Sequence, residues 1–238
     1  MNKKPLLIGG AIVALAGLAY GGKIVMDDPG WNTTTPVKTD LERSVESNLL
    51  SSPRVPAADI KVDDGYEYVG GHKFLLYGAA HVEQHAFVLP NEKGEAQTAI
   101  VFHFEEVMDG VDWQYNYHGS TNEIMIGDLD FVWDTQPGTW NTPLLPQGWP
   151  GSDTYQMSRL LKEAGYRFPQ TFRWGRAVHI PTEDRRSELL IIIYDDLDAI
   201  DRNGDQLMPN GEYADEWPQR AQELLNLLDR SVTITSIG

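Results

Sequence analysis

The residues best suited to hold a metal ion run from Asp201 to Glu212, Asp-Arg-Asn-Gly-Asp-Gln-Leu-Met-Pro-Asn-Gly-Glu. With Asp201 as position 1, side-chain oxygens fall at 1, 3, 5 and 12 (Asp201, Asn203, Asp205, Glu212), and Leu207 offers a carbonyl at 7. Hard oxygens at that spacing can surround a large cation, and the pattern resembles a calcium loop of the EF-hand type. Three features depart from it. Gln206 stands where glycine makes the sharp bend, Pro209 where a water-bridging ligand belongs, and a strand is expected upstream in place of a helix. The competing expectation is an acidic turn-rich loop built on Asn203-Gly204 and Asn210-Gly211, and calcium is the one cofactor the sequence suggests.

A second group is His81-Val-Glu83-Gln-His85. On a strand the three polar residues share one face, but the two histidines stand about 13 Å apart at ~3.3 Å per residue, too far to bind one ion together. On a helix they would meet, yet the glutamate is not placed as the HExxH zinc-hydrolase pattern requires. The strand reading is preferred because Phe87-Val88-Leu89 runs straight into a turn. If 81–89 pairs with 97–105, Glu83 comes near His103, and such a His–Glu pair is expected to be structural. Glu105, Glu106, Asp128, Asp130 and Asp134 are candidates for two-carboxylate catalysis. No G-x-S-x-G elbow, phosphate-cradling glycine loop or S-x-x-K motif is present, so the reading leans away from an enzyme.

Several elements must position these groups. Lys3 and Lys4 precede an uncharged run from Pro5 to Gly22, and Lys23 is followed by Ile24, Val25, Met26 and the acidic pair Asp27-Asp28. That length is close to the lower limit of ~17–25 residues for a membrane-crossing helix, and Lys23 can snorkel. Residues 1–26 are therefore expected to be a transmembrane anchor, with the N-terminus cytoplasmic and the rest exported across the inner membrane by the positive-inside bias. A cleaved signal peptide is the alternative, with Ala14-Leu15-Ala16 as the cleavage site. Gly10, Ala14, Gly17 and Gly21 form one small-residue stripe that would let a partner helix approach closely.

Residues 27–58 read as a juxtamembrane tether and a short helix. Thr39 and Glu42 supply a capping box, and Leu41, Val45 and Leu49 an apolar face. Residues 59–238 are expected to be one exported α+β domain. Tyr66–Tyr77, His81–Leu89, Gln97–Val107, Trp113–Tyr117, Glu123–Trp133, Thr171–Ile180, Glu188–Tyr194 and Ser231–Ile237 read as strands. The connections are too short for crossover helices, so the strands should be antiparallel and form one curved sheet of about seven or eight strands packed with two to three helices. One helix is expected after Ser152 and another from near Asp215. Leu189–Ile193, apolar on both faces, should be a central strand.

The connection from Asp134 to Ser152 is long, with four prolines and two tryptophans, and Trp140, Leu144, Leu145 and Trp149 are candidate partner contacts. A net charge of -16 argues against nucleic acid, and zero cysteines exclude disulfides and thiolate chemistry. The leading expectation is an anchored extracytoplasmic binding domain, an accessory subunit of a membrane complex that touches the bilayer through its anchor. The alternatives are a membrane-tethered carboxylate hydrolase, or a carrier holding a small apolar ligand on a concave face lined by Trp113, Tyr115, Tyr117 and Trp133.

Overall fold

The computed structural model describes residues 37–120, 122–140, 151–167 and 169–237. The expected anchor 1–26, with Gly10, Ala14, Gly17 and Gly21, lies outside them, as do Leu144, Leu145 and Trp149. Among the described residues no helix is long and apolar enough to cross a membrane.

The domain is α+β and its strands pair antiparallel throughout, in two sheets. The larger sheet contains β4 (Glu67–Leu76), β5 (Ala80–Pro90), β6 (Ala96–Val107), β7 (Glu123–Ile126), β8 (Leu129–Thr139), β9 (Thr171–His179) and β10 (Ser187–Asp196). Their order is β4-β5-β6-β10-β9-β8-β7. β10 is central, and Leu189–Ile193 is buried on both faces as its unbroken apolar run requires. The smaller sheet, in the order β1-β2-β3-β11, contains β1 (Ser44–Glu46), β2 (Leu49–Ser52), β3 (Ala58–Val62) and β11 (Val232–Ser236).

Two hydrophobic layers follow from the alternation of side chains. On one face of the large sheet, Phe87, Ile100, Phe102, Leu189, Ile191 and Ile193 pack against Leu50, Ile60 and Ile234 of the small sheet. Leu224, Leu227 and Leu228 of α3 (Trp217–Ser231) join the same layer. On the other face, Val88, Val101, Leu190 and Ile192 meet Met157, Leu160 and Leu161 of α1 (Asp153–Glu163). Ser152 caps α1 by accepting the Tyr155 N–H, and Gly165 follows its end at φ +89°. The short α2 (Gly204–Leu207) sits beside β8 and β9.

The single sheet expected from the sequence is instead two, of seven and four strands, with Val232–Ser236 in the smaller, and three further details differ from the sequence reading. The helix expected around Leu41, Val45 and Leu49 is instead the β1–β2 hairpin. Ser47 and Asn48, at φ 49° and 60°, form the two-residue turn whose left-handed backbone matches strand twist. Residues 113–117 form no strand. The run 123–133 is broken by Gly127-Asp128 into β7 and β8.

Candidate functional site

The small sheet stops short of the end of the large one. A cavity of about 580 Å3 lies there, between the segment leading into β1, the β2–β3 connection, and the adjoining ends of β4, β5, β6 and β10. Its back wall is a buried ion cluster. Glu83 accepts the backbone N–H groups of Glu42 (2.8 Å) and Arg43 (3.0 Å), and His85 Nε2 lies 2.8 Å from its Oε1. The Arg43 guanidinium is 3.8 Å away, stacks 3.7 Å from the centre of the Phe104 ring, and donates to Ser52 Oγ and the Val55 carbonyl. Burial opposes ionisation of Glu83, but the His85 hydrogen bond, the Glu42 amide and Arg43 outweigh it, so the carboxyl titrates below its ordinary range. Glu83 therefore acts as the anion that pins residues 42–43 to the sheet.

The cavity floor is one row across three strands. His81, Glu106 and Ser187 are directly opposed in the β5–β6 and β6–β10 ladders, so they share a face. All three line the cavity. Lys73, Arg54 and Glu42 form the rim, with Lys73 3.1 Å and Arg54 2.6 Å from Glu42.

Beneath the opposite face runs a second, buried polar chain. His72 Nε2 lies 3.0 Å from Gln84 Oε1, Gln84 Nε2 2.7 Å from His103 Nδ1, and His103 Nε2 2.5 Å from Glu105 Oε1. The last contact falls outside ideal hydrogen-bond angles, but an imidazole and a carboxylate this close are interacting, and the distance decides the matter. With the Gln84 oxygen towards His72 and its nitrogen towards His103, both imidazoles carry the proton on Nε2. His72 Nδ1 is then a buried lone pair with no partner among the described residues. Burial above all pushes the His72 pKa down to about 4, so the ring is neutral.

Tyr115 donates to Glu105 (2.8 Å) and Tyr117 to Glu188 (2.6 Å), and Glu105 and Glu188 are directly opposed in the β6–β10 ladder. Burial, followed by the charge of Glu105, holds the Glu188 carboxyl well above its ordinary pKa. Glu188 therefore keeps its proton to a higher pH than an ordinary carboxyl. Arg176 completes the group through Asp134 (2.8 Å), whose other contact is Ser120. Together with Arg185 and Arg186, which donate to the carbonyls of Val111, Met108 and Tyr115, these bonds fasten the 108–120 connection over the sheet.

The sequence-derived candidates are distributed differently from expectation. Glu83 lies opposite Phe104, its histidine is His85, and His103 faces the other side of the sheet. Glu105 and Glu106 alternate, one buried and one in the cavity. Among the described residues no three His, Asp or Glu side chains gather as a metal-binding group. In the Asp201–Glu212 segment, Asn203 spends its side chain capping α2, accepting the Gln206 N–H while Gln206 Oε1 accepts that of Asn203. Leu207 is buried and Asp205 exposed. Gln206 at the bend position is what lets this capping box form where a glycine would turn the loop. Trp140 is half-buried, its ring 5.0 Å from Phe172. The four aromatics expected on one concave face are split: Trp133 belongs to the layer beneath the small sheet, and Trp113, Tyr115 and Tyr117 cluster under the 108–120 connection.

His72, Gln84 and Ser187 were not singled out from the sequence, where nothing marks residues that acquire meaning only across a ladder. No family model, no curated protein and no solved structure matches the chain.

Proposed function

We propose that the chain is a single-pass, membrane-anchored extracytoplasmic binding domain, acting as an accessory subunit of a membrane complex, and that the cavity over His81, Glu106 and Ser187 is its binding site. The observation that carries this reading is the cavity itself. At about 580 Å3 it falls within the range of sites that receive a small ligand or a partner's side chain, and charged groups converge on apolar surface from Val37, Val55 and Leu75, the last directly opposite His81. Its position is compatible with the membrane part of the reading. Val37 lines the cavity and pairs with Lys73 on the edge strand β4. With an anchor ending near residue 26, the tether to Val37 spans at most roughly 35–40 Å at ~3.3–3.6 Å per residue, so the cavity stays within reach of a neighbour in the same bilayer.

Affinity purification of the full chain in mild detergent, beside a chain lacking residues 1–26 and a Ser187→Trp variant that fills the cavity, tests the proposal. A stoichiometric partner should be captured by the full chain and depleted by both changes. A lone monomer in all three would overturn it.

One observation favours a second reading, a carboxylate hydrolase. Glu105 and Glu188 are two directly opposed buried carboxyls, and the raised pKa of Glu188 is of the kind acid–base catalysis uses. Glu188 is only 3 % exposed and is covered by the Tyr117 hydroxyl, which weighs towards a structural latch. Hydrolytic turnover lost in Glu105→Gln would reverse that weighting.

A further inference from the structure

Resting on the cavity reading above, we infer that the cavity selects a cationic group, an ammonium or guanidinium seated on Glu106 between Ser187 and His81. Three permanent cations, Arg43, Arg54 and Lys73, and three carboxylates, Glu42, Glu83 and Glu106, face the cavity. Each cation is already engaged. Arg43 is held by Glu83, Ser52, the Val55 carbonyl and the Phe104 ring. Arg54 pairs with Glu42, and Lys73 lies between Glu42 and Glu83. An incoming anion would have to compete with Glu42 and Glu83 for these cations.

The carboxylates are not equally engaged. Glu42 and Glu83 are matched by the cations just named, and Glu105 is turned to the other face, where it meets His103 and Tyr115. Glu106 has no hydrogen bond or ion pair among the described residues, and it is the carboxylate left to neutralise a guest. Its neighbours in the row have the complementary chemistry. The Ser187 hydroxyl oxygen and a His81 ring nitrogen can each accept from an N–H donor, and neither side chain is bonded elsewhere among the described residues. Leu75, directly opposite His81 in the β4–β5 ladder, and Val55 at the rim are apolar surface for the carbon skeleton that carries the charge. The surrounding excess of negative charge, -16 over the chain, raises the local concentration of cations and disfavours anions at every distance within a Debye length.

Two sources supply such a group, a free organic amine and a lysine or arginine side chain of a protein partner. Isothermal titration of the full chain in detergent separates them, with 1,5-diaminopentane, the peptide acetyl-Gly-Gly-Arg-Gly-Gly-amide, 1-pentanol and glutarate as probes. Saturable binding of the diamine or the peptide is expected, weakened at least tenfold by Glu106→Gln, a shape-conserving change at an exposed position. Preference for the peptide identifies a partner's side chain, and preference for the diamine a free amine. Glutarate or pentanol binding more tightly than both, and lost in Ser187→Trp, would overturn the charge preference while leaving the cavity as a binding site. Cation binding that persists in Glu106→Gln would overturn the seat. Silence from all four probes at millimolar concentration would remove the cavity reading along with the inference.

Discussion

His72 shows how one residue can set the response of the whole domain to acid. Its ring is fully buried, its Nε2–H is committed to Gln84, and its Nδ1 faces no donor among the described residues. Burial is the main obstacle to protonation, Lys38 and His103 add repulsion, and the Gln84 hydrogen bond and Glu163 offset them only in part. The folded pKa of about 4 lies below the ordinary value of 6.5. The neutral ring therefore contributes stability that is fully present above pH ~6.5 and is lost as pH falls towards 4. Linkage sets that loss at about 3 kcal/mol. Urea unfolding of the wild type at pH 7.5, 5.5 and 4 should show this decline, and His72→Gln, which keeps a donor for Gln84, should flatten it. An unchanged acid limb in the variant would mean that another group governs acid unfolding. None of this was legible from the sequence. A histidine in a glycine-flanked, mixed run carries no sign of burial, and only the pairing of β4 with β5 brings Gln84 to it.

At the scale of elements, the sequence was most readable where alternation and turn residues agree. β5, β6, β9, β10 and β11 fall within a residue or two of the expected bounds, because short strand-length runs, alternating or apolar throughout, are closed off by turn residues at both ends. The failures have definite causes. Leu41, Val45 and Leu49 recur at helical spacing, but the shorter period of Leu50 and Ser52 against β3 prevails once Ser47-Asn48 turns the chain. The expected approach of Glu83 to His103 fails by one residue. Pro90 does pair with Ala96, the register that would bring those two together, but an irregularity between Leu89 and Pro90 shifts every later pair. A one-residue slip sends side chains to opposite faces, and it separates the two histidine–glutamate pairs onto the two layers of the core.

Gly127 is the element-scale position where a small change should matter most. It turns β7 into β8 at φ +57°, and a Cβ there would lie 1.9 Å from the Ile234 carbonyl oxygen of β11. Asp128 fastens the same turn to the small sheet, donating its N–H to Ile234 and accepting that of Ser236. Gly127→Ala combines a left-handed alanine with a backbone collision and should cost about 3 kcal/mol, read as a lowered thermal midpoint. Gly94→Ala supplies the control. It also has positive φ but nothing within 4 Å of the added carbon, so it should cost only ~1 kcal/mol. Equal losses in the two variants would show that the contact between the hairpin and β11 contributes little.

For the whole molecule, the proposal makes the anchor and the cavity two attachment points about ten residues apart in the chain, whose joint effect would be one of effective concentration. A weak cavity becomes useful when the bilayer confines its partner, because the second contact is then intramolecular. The reading of residues 1–26 as a retained span therefore makes a quantitative claim about the segment between Asp27 and Val37. Inserting about thirty Gly/Ser residues after Gly30 lengthens the tether roughly fourfold. Once a linker exceeds the span it must bridge, effective concentration falls approximately as the −3/2 power of its length, or about eightfold here. Co-purification of the partner should weaken by that factor, and Glu106→Gln should add little further loss once the tether is long. Capture that is indifferent to tether length but lost on deleting residues 1–26 would place the whole association in the anchor helix and its Gly10, Ala14, Gly17 and Gly21 stripe. A mature chain beginning at Gly17, read by mass spectrometry, would abolish both attachment through the span and the geometry built on it.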